Sequence, residues 1–167
     1  MIGRPPGLDW PQTFVLKAVG DLAMELWECR LTLADVAERL AVTIRMSRRQ
    51  IEDALGPLSE RGYLFADDAP GNPEIVLHLM LRGLNEYCYR FVRGYGSARL
   101  DVLRLICQDI GADVHELARR TGHPALLIEH ILDGAQSEGL LRISKHGQYI
   151  TVTEVRPQLR RTVSGAA

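Results

Sequence analysis

The sequence predicts a mainly helical α+β protein with small β-hairpins, in which one supersecondary unit occurs twice in tandem and a helical linker joins the copies. Three observations carry this. Ser59-Glu60-Arg61-Gly62-Tyr63-Leu64 is echoed by Ser137-Glu138-Gly139-Leu140-Leu141, with Gly62 and Gly139 standing 77 positions apart. Each segment closes a run of apolar residues at helical spacing and precedes a β-like run. The chain has 167 residues, 46% of them hydrophobic and 25% charged, which is the composition of an ordinary soluble protein and length enough for two small cores.

The elements follow in order. Pro5, Pro6, Gly7 and Pro11 predict an extended, mobile arm over residues 1–12. The first unit, residues 13–81, opens with a helix whose inward face is Leu16, Val19, Ala23, Leu26 and Trp27, opposite Lys17, Asp21, Glu25 and Glu28. Thr32 or Asp35 caps a second helix presenting Val36, Ala37 and Leu40, and Ser47 precedes a third with Ile51, Ala54, Leu55 and Leu58 inward. Gly62 ends it. Tyr63 to Ala66 and the apolar run Ile75 to Leu81 then flank a polar turn, which predicts a hairpin with a long tip.

Residues 82–97 are expected to form a linker helix and hinge. Leu84, Tyr87, Cys88 and Phe91 keep helical spacing before the Gly94-Tyr95-Gly96-Ser97 break. The second unit, residues 98–153, repeats the order: Leu100, Leu103, Ile106, Cys107 and Ile110, then an Asp113-capped helix with Val114, Leu117 and Ala118. Pro124 opens a helix carrying Leu127, Ile128, Ile131 and Leu132. Leu140 to Ser144 and Gln148 to Thr153 flank Lys145-His146-Gly147 as a compact hairpin. Residues 154–167 are expected to be a disordered basic tail. Ile51 and Ile128 match at an offset of 77, but Val36-Ala37 and Leu117-Ala118 match at 81. The first unit therefore has four extra residues, expected in its turn within Ala41 to Met46.

Composition bounds the function classes. No apolar run approaches the roughly 18 residues of a membrane span, and Met1 to Gln12 lacks the apolar core of a secretory signal, so the expected location is cytoplasmic with no membrane partner. A DNA-binding role would make it nucleoid-associated. Cys29, Cys88 and Cys107 read as buried thiols in a reducing compartment, not as a disulfide frame or metal site. Net charge is −1, so any basic surface must be local: residues 1–81 hold 8 Lys+Arg against 12 Asp+Glu, and the remainder 12 against 9.

Ala34-Asp35-Val36-Ala37-Glu38-Arg39-Leu40, then Ser47-Arg48-Arg49-Gln50-Ile51-Glu52-Asp53-Ala54-Leu55, then Glu60-Arg61-Gly62-Tyr63-Leu64 resemble the winged helix-turn-helix superfamily of bacterial transcription regulators. The likeness spans about residues 13 to 153 and rests on the spacing of apolar residues. It implies two tandem winged-helix domains, with the start of the third helix facing the DNA major groove and the hairpin, or wing, along the adjoining backbone. A helix N-terminus offers free N–H groups, and Arg pairs bidentately with guanine or phosphate. The resemblance thus points to Thr43, Arg45, Ser47, Arg48, Arg49 and Gln50 as DNA-contacting in the first unit. The second unit departs from the pattern. Its third helix opens with His123, Pro124, Ala125, Leu126 and Leu127, which suits a protein or homodimer interface through an exposed Leu126. Arg142, Lys145 and His146 on its hairpin are candidate phosphate contacts. The tail arginines Arg156, Arg160 and Arg161 are either further contacts or solubilising charge.

No catalytic constellation emerges, so no enzyme activity, cofactor or metal is expected. His115, His123 and His130 lack metal-ligand spacing and read as surface or capping residues. Tyr87, Tyr89, Phe91 and Tyr95 read as core packing or domain docking. The leading expectation is a transcriptional regulator whose partner is double-stranded DNA. The alternatives are a non-DNA-binding adaptor subunit of a larger complex and a replication or mobile-element accessory factor. In architecture, length and mild acidity, though in no single motif, the chain resembles the kleisin-binding subunit of bacterial condensin.

Overall fold

The structure, a computed structural model, describes residues 7–71 and 73–165, and the chain divides into two compact units, Met1–Val92 and Arg93–Ala167. Residues 1–6, half of the expected N-terminal arm, lie outside the described residues. Trp10, Pro11 and Gln12 are already helical.

The first unit runs α1 (Trp10–Leu26), β1 (Arg30–Thr32), α2 (Leu33–Ile44), α3 (Arg48–Glu60), β2 (Leu64–Asp67), β3 (Val76–Leu79) and α4 (Leu81–Phe91). Its antiparallel sheet has the order β1-β3-β2, with Leu31 opposite Leu77 and Phe65 opposite His78. The second runs α5 (Tyr95–Gln108), α6 (Val114–Thr121), α7 (Ala125–Ser137), β4 (Leu141–His146), β5 (Tyr149–Val155) and α8 (Pro157–Gly165). Three helices followed by an antiparallel hairpin recur in both, so the protein is mainly α with small sheets and its units are winged-helix-like. The first unit's β1 strand has a reduced counterpart in the second, a single bridge between Asp113 and Thr151.

Local chemistry sets the helix starts. Asp9 accepts from the Gln12 amide at 3.0 Å to open α1, and Asp113 accepts from the Glu116 amide at 2.8 Å to open α6. Thr32 with Asp35, and Ser47 with Gln50, form reciprocal capping boxes at α2 and α3. Each such cap is worth about 1 kcal/mol. Packing then fixes the units. Leu16, Leu33, Leu40, Ile51, Leu58, Leu64 and Leu77 are fully buried in the first, and Ile106, Leu117, Ile128, Ile131 and Leu132 in the second. Each buried side chain of this kind contributes roughly 1.5–3 kcal/mol of transfer free energy.

Several expectations change. The helix expected as a linker, α4, is packed into the first unit: the Tyr87 ring lies on Gly20 of α1, and its hydroxyl donates to Asp21 Oδ1 at 2.7 Å. Gly83 brings α4 equally close to the Tyr63 carbonyl. The Gly94-Tyr95-Gly96-Ser97 hinge is the start of α5, with Gly94 as its cap. Residues 154–165 of the tail expected to be disordered are regular: Glu154 and Val155 complete β5, and α8 buries Leu159 fully. Pro157 is the first residue of α8, where its missing N–H costs nothing. Leu126, expected at the surface, is only 5% exposed.

His130 is likewise interior, at 8% exposure, with its ring 5.8 Å from that of Tyr95. Burial pushes its imidazole below the ordinary histidine range, against an opposing pull from Asp133. The neutral form is favoured in the native state. Its contribution is therefore present in full above the unfolded-state value near pH 6.5 and is lost as pH falls through the depressed native value.

Two measurements check this packing. Gly20→Ala is expected to destabilise the protein by about 1–2 kcal/mol, since overpacking against Tyr87 exceeds a helix-propensity gain of about 1 kcal/mol. In a Tyr87→Ala background the same substitution becomes stabilising, a reversal that urea unfolding of the four proteins reads directly. Thermal melts between pH 7.5 and 5.5 should show wild type losing more stability on acidification than His130→Leu.

Candidate functional site

The four extra residues of the first unit do not enlarge its turn. They lengthen its second helix: α2 has 12 residues and α6 has 8. Both helices end on a left-handed cap, Arg45 at φ 56° and Gly122 at φ 72°. An arginine thus occupies a conformation that its counterpart assigns to glycine.

The six residues expected to contact DNA in the first unit are brought together around this cap and the start of α3. Most are engaged within the chain. The Thr43 hydroxyl donates to the Arg39 carbonyl at 2.9 Å. The Ser47 amide and hydroxyl both donate to Gln50 Oε1 at 2.9 Å, closing the capping box. Arg48 Nε donates to Glu52 Oε1 at 2.9 Å. Arg45 and Arg49 are exposed and form no ion pair among the described residues. Further along the same exposed surface come Glu52 and Asp53.

The neighbouring wing carries no Lys or Arg from Leu64 to Leu79. Asp67 accepts from the Ala69 amide at 3.2 Å, and Glu74 accepts from the Ala34 amide at 3.0 Å, tying the wing to the start of α2. Asp68 remains exposed.

The candidates on the second hairpin belong to the other unit and are also partnered. Lys145 Nζ lies 3.0 Å from Glu129 Oε1 and 2.9 Å from Asp133 Oδ2. Partial desolvation opposes its charge, but the two carboxylates outweigh that and hold the ammonium above the ordinary lysine range. Arg142 Nε is 3.4 Å from Glu154, and His146 Nδ1 is 3.2 Å from the Ser144 hydroxyl. The tail arginines are similarly placed: Arg156 pairs with Glu154 at 2.9 Å, and Arg160 donates to the Cys107 carbonyl at 3.4 Å.

A different surface was not foreseen from the sequence. Between α1 and α2 runs an open groove of about 420 Å³, lined by Leu22, Leu26, Asp35, Glu38, Arg39 and Val42. Leu26, expected inside, is 57% exposed, and Val42 is 83% exposed. Arg39 spans the helices to Glu25 as a bidentate pair at 2.9 and 2.5 Å, and this guanidinium holds the Glu25 carboxyl below its usual range. The signal lay in spacing: Asp35, Glu38, Arg39 and Val42 stand at i, i+3, i+4 and i+7, and Val42 sits on the additional turn.

Among the described residues no group of three or more His, Cys, Asp or Glu is placed to hold a metal ion. Burial pushes the Cys88 thiol up to about 12, where it is a poor nucleophile. No helix among the described residues is long and apolar enough to cross a membrane.

No protein-family model matches the chain, and no curated protein matches it in sequence. Among solved structures, a chain from the structure of the ESCRT-II endosomal trafficking complex is similar at 13% identity and a TM-score of 0.32, over 92% of this chain and 96% of that one.

The left-handed cap supplies a prediction. Arg45→Gly is expected to stabilise the protein by roughly 0.5–1 kcal/mol, because glycine adopts this conformation without steric cost. Chemical denaturation of the variant beside Arg45→Ala, which keeps the strain, checks it.

Proposed function

We propose that this chain is a non-catalytic adaptor: a tandem of winged-helix-like units that docks a protein partner. The observation that carries the reading is the α1–α2 groove, where Leu26 and Val42 stay exposed together on a helix pair. Apolar side chains scattered singly over a surface are ordinary, but two flanking one cleft mark an interaction surface. The charge arrangement supports the same reading. The second hairpin answers its lysine with two carboxylates, and the first wing presents acids where a duplex would present phosphates. Bringing phosphate to the second hairpin would require breaking its ion pairs while leaving the carboxylates in place, and at the first wing phosphate would meet uncompensated acids.

One observation favours a second reading, the DNA-binding regulator. Arg45 and Arg49 stand exposed beside the N-terminus of α3, where free N–H groups and the positive end of the helix dipole favour an anion. If these two make the phosphate contacts, duplex affinity falls only about tenfold between 50 and 200 mM salt.

The two readings separate in one pair of measurements. Gel shifts with mixed duplex fragments at 50 mM salt are expected to show no retention of the full chain, while affinity purification at 200 mM salt is expected to recover a partner in stoichiometric amount. Duplex retention that is lost in the Arg45→Ala, Arg49→Ala double variant, with no partner recovered, would overturn the adaptor reading in favour of DNA.

A further inference from the structure

Resting on the adaptor reading, we propose that the groove between α1 and α2 receives an amphipathic helix of the partner whose apolar stripe is flanked by Lys or Arg. The geometry of the lining comes first. Leu22 and Leu26 on α1 are one helical turn apart, and on α2 Asp35, Glu38 and Val42 fall on one face. Two helices so aligned form a trough open at the surface, which suits the docking of a third helix by its i, i+3, i+4 and i+7 side chains.

Charge then selects the chemistry of the occupant. Arg39 is the cation of the lining, and its guanidinium is committed to Glu25 through both nitrogens. Asp35 accepts from the Thr32 amide and hydroxyl, which are neutral donors, so its charge is uncompensated. Glu38 is exposed and forms no ion pair among the described residues. With Arg39 and Glu25 cancelling, the rim carries two net negative charges around an apolar floor. A basic flank completes the field, whereas an acidic helix or nucleic acid meets like charge.

The second unit has a groove in the same place, about 390 Å³ between α5 and α6, but Leu105 is the one large apolar side chain of its lining, and Arg104 and Arg120 outnumber Asp101 there. Its α6 stops at Thr121, and the position matching Val42 at the helix-to-helix offset is His123, which lies beyond the helix. The additional turn of α2 thus supplies the exposed valine that the second groove lacks.

The test uses the full chain and three labelled synthetic peptides that share one leucine stripe and differ only in their polar face, which is Lys-rich, Gln-rich or Glu-rich. Fluorescence anisotropy is expected to rank them in that order, with the Lys-rich peptide about tenfold tighter than the Glu-rich one. Glu38→Lys should collapse that preference. Val42→Glu should weaken the Lys-rich peptide even though it adds negative charge, which separates docking on the apolar floor from general attraction to an acidic protein. Both positions are exposed, and circular dichroism of the variants confirms that they fold. Equal affinity for the three peptides, or binding untouched by Val42→Glu, overturns the proposal. A stoichiometric partner retained equally by wild type and Val42→Glu would remove the groove while leaving the adaptor reading standing. Absence of any partner would remove the adaptor reading itself.

Discussion

The first unit depends on α1 being covered from more than one direction. Its seventeen residues pack against α2, α3 and α4, and no single apolar stripe can serve all three. Val15, Leu16, Val19 and Ala23 supply ordinary core burial, whereas the approach of α4 relies on Gly20, where any side chain would collide with Tyr87. The tyrosine closes that contact by donating its hydroxyl to Asp21, which Lys17 also holds at 2.6 Å. Sacrificing helix propensity at one position thus fixes the helix that completes the unit. The same crowding leaves the far end of α1 uncovered, so Leu26 projects beside α2.

The copies diverge by one helical turn, and most of what distinguishes them follows from it. Lengthening α2 forces a left-handed arginine to end it, sets Val42 over the groove and carries the candidate basic cluster to the start of α3. In the second unit the shorter α6 ends on Gly122, and the residues after it lead into a helix whose first apolar positions, Leu126 and Leu127, go straight to the core. There the hairpin is bound to its own third helix by the pairing of Lys145 with Glu129 and Asp133. A surface tied inward in this way stiffens the unit and has little left to offer a ligand.

What the sequence made legible was local. Thr32, Ser47 and Asp113 announced their helices because a cap and its partner lie three residues apart, and Gly62 and Gly139 marked helix ends because positive φ is a property of one residue. The two-unit, mainly helical architecture followed from such signals. What escaped was non-local. The three-residue strand β1 exists through pairing with Val76 to His78, more than forty positions on. The neutralisation of Lys145 depends on carboxylates 16 and 12 residues earlier in the chain, and the burial of Leu159 in a nine-residue helix leaves too few turns for periodicity to register. The groove was missed for a further reason. An apolar residue at helical spacing was assigned inward by default, and only the packing of α2 and α4 decides that Leu26 has no partner.

The docking of α8 bears on how the protein is made. The first unit's last packed element ends at Phe91, so every contact it needs has been synthesised once that residue has left the ribosome. The second unit cannot close in step with its own hairpin, because Leu159, a fully buried side chain, arrives after β5. Until then the surface of α5 that it covers is open to solvent and to chaperones. The two copies of one architecture therefore mature on different schedules, and the interval of exposure belongs to the second.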